Sequence, residues 1–125
     1  MYRKIILLLV VLSGYASAHE WTPTYPKLEQ SYVPKVLKVS MKLFNNRVGI
    51  NHYEIEVFDS EWNSIKFAMA EKIIRIRHLE RKKIDVFIRE QDRYNITYVC
   101  SKSKIISDDP SITYVTSRIC SKVKQ

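Results

Sequence analysis

Residues 96–123 read Ile96-Thr97-Tyr98-Val99-Cys100-Ser101-Lys102-Ser103-Lys104, then Ile105-Ile106-Ser107-Asp108-Asp109-Pro110-Ser111, then Ile112-Thr113-Tyr114-Val115-Thr116-Ser117-Arg118-Ile119-Cys120-Ser121-Lys122-Val123. Two β-rich runs flank a centre of Ser, Asp and Pro, which is a hairpin pattern. Asp and Ser bond their own backbone in turns, and Pro fixes φ. Folding the chain near Pro110 sets the two cysteines of the sequence, Cys100 and Cys120, opposite each other. Strand parity then sorts their neighbours. Tyr98, Lys102, Lys104, Tyr114, Thr116, Arg118 and Lys122 fall on the cysteine face. Val99, Ser101, Ser103, Ile105, Val115, Ser117, Ile119, Ser121 and Val123 fall on the other. One face is cationic, the other small and aliphatic.

The N-terminus sets the compartment. Arg3 and Lys4 precede the apolar run Ile5–Leu12, and Ala16-Ser17-Ala18 is a cleavage pattern, so residues 1–18 are expected to be a signal peptide. The run is shorter than the ~20 apolar residues of a membrane span, so no transmembrane anchor is expected after cleavage. Arg3 and Lys4 are the leader's charged side chains, so its removal takes the net charge from +8 to +6. Two cysteines in an exported chain point to a disulfide, and the spacing is not that of a C-x-x-C redox pair. The expected location is the periplasm or the exterior. A bridge Cys100–Cys120 would contribute about 3 kcal/mol by closing the loop.

The rest of the chain reads as short strands joined by turns. Residues 19–34 hold Pro23, Pro26 and Pro34 and read as an extended arm or edge strand, with Trp21 able to cover one end of the core. Residues 35–125 form the expected domain. Val36–Phe44 alternates apolar with polar, as a half-buried strand does. Tyr53–Asp59 is a second strand, followed by a turn through Trp62. Residues 65–72 read as a loop or edge segment. Ile74–Arg77 and Ile84–Arg89 alternate again, with 78–83 as a charged connection. The expected fold is an all-β, immunoglobulin-like antiparallel sandwich of about seven strands in one domain.

The element order resembles the N-terminal immunoglobulin-like domain of periplasmic pilus chaperones of the PapD-like type. The resemblance lies in a strand ending Leu43-Phe44-Asn45-Asn46, the strand Tyr53-Glu54-Ile55-Glu56-Val57-Phe58-Asp59, and the pair Ile73–Arg77 and Ile84–Arg89 around a polar turn. It covers about residues 37–123. Some of those chaperones also link their last two strands by a disulfide. The sequence departs from the family in several places. Met69-Ala70 stands where the family has Pro-Pro, and Glu80-Arg81-Lys82 replaces a Pro-Gly turn. A single domain is expected, without the family's second domain. The aliphatic stripe Val115, Ile119, Val123 is interrupted by Ser117 and Ser121.

The resemblance implies a binding protein that holds a partner chain by strand addition during assembly of a pilus or other surface structure. The alternative is a small structural subunit of a surface, secretion or virus-particle assembly. The implied docking strand is 112–123, with Val115, Ile119 and Val123 entering a partner's groove, and Arg118 and Lys122 meeting a carboxylate. The cations Lys102, Lys104, Arg118 and Lys122 also suit an acidic partner or phosphate, although a solvated face that protects an edge weighs more. The expected partner is a protein, pilin-like or another assembly subunit, with nucleic acid less favoured and no small-molecule substrate. Tyr98-Val99-Cys100 is also similar to the Tyr-x-Cys of immunoglobulin strands, whose side chains point inward. Cys100 therefore either faces inward alone or bonds laterally to Cys120. The lateral bond is preferred, because the basic residues of that face belong in water.

No phosphate-cradling glycine loop and no ordered nucleophile–base motif is present, so no enzyme activity and no cofactor are expected. His19, His52 and His78 lack metal-ligand spacing. Asn95-Ile96-Thr97 is a glycosylation sequon by pattern, meaningful only in a eukaryotic secretory pathway.

Overall fold

A computed structural model describes residues 19–105 and 116–125. The signal-peptide expectation, the hairpin tip around Pro110, and Val115 lie outside the described residues.

The described chain forms nine strands: β1 (Glu20–Thr22), β2 (Glu29–Gln30), β3 (Val36–Phe44), β4 (His52–Phe58), β5 (Phe67–Ala68), β6 (Ile73–Arg75), β7 (Arg81–Arg89), β8 (Tyr98–Lys104) and β9 (Arg118–Lys122). One sheet has the order β1-β3-β7-β5, with β2 also on β3; the other has the order β6-β4-β8-β9. All these pairings are antiparallel. Lettered along the chain, this is the A-B-E-D sheet facing C-F-G of an immunoglobulin-type sandwich, with β6 added beside β4.

Alternation builds the core. Val39, Met41 and Leu43 of β3 face Tyr53, Ile55 and Val57 of β4 and Val99 of β8 in one buried cluster, together with Ile84, Val86 and Ile88 of β7, and Leu37 of β3 is buried too. β3 has the bounds its alternation predicts. β7 begins earlier than its apolar pattern, at Arg81. Arg81, Lys82 and Lys83 are exposed, yet they pair by backbone with Phe44, Leu43 and Lys42. The apolar period reports burial, while the ladder runs on past the core.

The strand count exceeds seven because the arm and the 65–75 segment each contribute two short pieces. β1 and β2 lie along different parts of β3. Between them the arm crosses to the other sheet, where the carbonyls of Thr24 and Pro26 accept from Lys122 and Lys124 N–H at 3.1 and 2.8 Å. Trp21 is 5 % exposed, and its Nε1–H donates to the Val99 carbonyl at 3.0 Å. The arm therefore staples the sheets together. On the opposite side, Ile65 and Lys72 bond β4 while β5 bonds β7, so the chain weaves between the sheets there.

Asn45 closes the end of the sandwich. It is fully buried. Its amide donates to the carbonyls of Ile50 and Ile76, both at 2.8 Å, and its Oδ1 accepts from Arg47 N–H and Tyr53 Oη. Its backbone meets Leu79 and Glu80. One side chain thus joins the β3–β4 turn, β4 and the segment after β6. Gly49, in the same turn, has φ 87°, a region that favours a residue with no Cβ.

Candidate functional site on the second sheet

β9 lies at the edge of its sheet, and the hairpin register fixes which way its groups point. Cys100 pairs with Cys120 across β8 and β9, Cα atoms 4.1 Å apart, and the two form a disulfide. Ser103 N–H donates to the Ser117 carbonyl, and Val123 N–H to that of Thr97. The odd-numbered residues of β9 therefore bond inward to β8. Those of Arg118, Cys120 and Lys122 turn outward. The arm meets this outer edge at Lys122 and Lys124, and β1 passes close to β9; among the described residues no strand is hydrogen-bonded to the outward groups of Arg118 and Cys120.

The two faces divide as parity requires. Val99, Ser101, Ser103, Ser121 and Val123 are buried, and Ile119 packs against the core. Ile119 and Val123 are thus committed to this domain's own interior, and do not present a stripe for a partner's groove. A solitary aliphatic stripe on an edge strand does not reveal which protein's core it fills.

The outer face is arranged in cross-strand rows. Phe58, Tyr98 and Lys122 form one; Glu56, Cys100 and Cys120 the next; Glu54, Lys102 and Arg118 the third. Arg118 reaches diagonally across β8 and holds Glu56 by two bonds, Nε to Oε1 at 2.9 Å and an Nη2 bond at 3.2 Å. Its guanidinium also lies 5.7 Å from the Phe58 ring centroid. Lys104 pairs with Glu54 at 3.1 Å. Two of the four candidate cations are therefore neutralised from β4. Lys102 and Lys122 form no ion pair among the described residues. Cys100 is fully buried although it belongs to this outer face, consistent with the lateral bond beneath the Arg118–Glu56 bridge.

Sequence reasoning missed two groupings. The first is internal. His19 is 2 % exposed, its Nε2 lies 2.6 Å from Ser101 Oγ, and its Nδ1 lies 3.3 Å from Ser117 Oγ. Its ring packs against Tyr53 at 4.6 Å between centroids. Burial lowers the imidazole pKa to about 4, partly opposed by the Ser101 bond, with Arg47 lowering it further. Tyr53 is pushed up to about 12, again by burial. Ser101 is fully buried, so this serine–histidine pair has no access for a substrate and works as an internal polar clasp. No spacing rule links residues 82 positions apart.

The second is exposed. Trp62 stacks on Tyr98, rings 4.2 Å apart and 4° from parallel, with Phe58 beneath at 5.6 Å. Among the described residues no group of three or more His, Cys, Asp or Glu could hold a metal ion. No described helix is long and apolar enough to cross a membrane. No protein-family model and no curated protein matches the sequence.

Proposed function

We propose that this chain is a non-catalytic, exported binding protein that holds a partner polypeptide by β-strand addition along the outer edge of β9, in the manner of an assembly chaperone for a pilus or other surface structure. The observation that carries this reading is the edge itself. Arg118 and Cys120 direct main-chain groups outward, and no strand of the described residues is hydrogen-bonded to them, although β1 passes close by. An added strand gains affinity through such groups. The resemblance to periplasmic pilus chaperones supports the reading, and the disulfide suits an oxidising compartment. Because Ile119 and Val123 face inward, recognition would rest on the main chain and on the outer side chains.

The alternative is a structural subunit whose edge is closed to partners. The arm's cover over Lys122 and Lys124 and the Arg118–Glu56 bridge favour it. The two readings separate at Arg118. Arg118→Pro deletes an outward N–H, whereas Arg118→Ala deletes only the side chain. Strand addition predicts that tagged Arg118→Ala recovers the wild-type partner from periplasmic extract, while Arg118→Pro with the same circular dichroism loses it. Equal recovery by both folded variants sinks strand addition at this edge and leaves the structural subunit.

A further inference from the structure

The turn after β4 is built to hold a tryptophan in the open. Asp59 organises it: its carboxylate accepts from Glu61 N–H, Asn63 N–H and the Asn63 amide, and its carbonyl accepts from Trp62 N–H. Those bonds, the one from Asn63 N–H first, hold its carboxyl below the usual range. Trp62 has φ 65°, the left-handed region that a bulky residue avoids. The turn compensates that cost, and the indole lies flat on Tyr98 while remaining 51 % exposed. Lys122 is the cross-strand neighbour of Tyr98 in the same row. Lys102, the other cation of this face without an ion pair among the described residues, sits four residues further along β8, about 13 Å away.

We propose that Trp62, Tyr98 and Lys122 form a binding subsite for an acidic saccharide, independent of strand addition at the β9 edge. The outer indole face offers a flat, electron-rich surface to the polarised C–H groups of a sugar ring. Lys122 takes the carboxylate of the stacked residue, and Lys102 takes that of a residue further along an extended chain. Nucleic acid would use the same charges, but single strands bind on successive aromatic platforms, one per base. Here one face is offered: Tyr98 is covered by Trp62, and Phe58 is only 9 % exposed. An acidic peptide would use the lysines and leave the indole idle.

The test uses the indole as its own reporter. Trp21, 5 % exposed, serves as an internal reference that a ligand at Trp62 does not reach. A galacturonic acid oligomer should shield Trp62 fluorescence from acrylamide. A neutral maltooligosaccharide should bind roughly tenfold more weakly, and polyglutamate should give no shielding. Read by titration calorimetry, which does not need the indole, Trp62→Ala and Lys122→Gln should each weaken the acidic oligomer by roughly tenfold, while Trp62→Phe, which keeps a flat ring, retains part of the affinity. Equal affinity for the neutral oligomer overturns the proposal. So does shielding by polyglutamate, tighter binding of an oligothymidylate, no shielding at all, or unchanged binding by both Trp62→Phe and Lys122→Gln.

Discussion

Tyr53 Oη donates to Asn45 Oδ1 at 2.6 Å in the interior of the sandwich, joining β4 to the end of β3. Asn45 meets four partners there, so its side chain has no idle hydrogen-bonding group. Leaving buried polar groups unsatisfied costs more than their bond contributes. Asn45→Ala strands the carbonyls of Ile50 and Ile76 and the Tyr53 hydroxyl. It should destabilise the fold by about 3 kcal/mol, read as a lower urea midpoint. Tyr53→Phe alone should cost about 1–2 kcal/mol, since only one partner is lost.

His19 gives the fold a pH dependence. Its pKa is about 4 in the folded chain, against an unfolded value of 6.5. Between those values the unfolded state binds the additional proton. Stability therefore rises with pH through this window and is lost as pH falls from about 6.5 toward 4. The loss should be on the order of 2–3 kcal/mol. Thermal melts from pH 7 to 5, above most carboxylate titration, should show it. His19→Asn should flatten the slope; an unchanged slope would mean that His19 is not buried as a neutral ring.

Cys100 and Cys120 should be recovered as one linked peptide pair in non-reducing digests. Replacing both by Ser should cost about 3 kcal/mol, the scale of closing a loop of this length. Free thiols in protein recovered from an oxidising compartment would contradict the β8–β9 register as well as the bridge.

Ser117→Pro should unfold the edge without testing partner binding. Ser117 N–H points inward to Ser103 Oγ at 2.7 Å, and its carbonyl accepts from Ser103 N–H. The substitution should lower the melting midpoint more than Arg118→Pro does, because the Arg118 N–H faces outward. A larger loss at Arg118 would mean that the inward and outward assignments are reversed.

Much of the fold was written in local pattern. The alternation of Val36–Phe44 marks β3 with its observed bounds, because a half-buried strand must alternate. The spacing of Cys100 and Cys120 about Pro110 set the hairpin register, since parity allows one face to each residue. The same parity separated the basic side chains from Ser101, Ser103 and Ser121. It could not say that Ile119 and Val123 fill their own core, because burial depends on the sheet packed opposite.

Tertiary structure alone decided the rest. The charged start of β7 has no apolar period, and only pairing with Phe44, Leu43 and Lys42 makes it strand. Asn45 reads as an ordinary turn residue until Ile50, Ile76 and Tyr53 converge on it. Arg118 reads as a free cation until β4 brings Glu56 across β8. Trp62 reads as part of a loop until the strands set Tyr98 beneath it. Local sequence determines which face a side chain takes; its partner comes from a segment remote in the chain, and only packing brings that segment near.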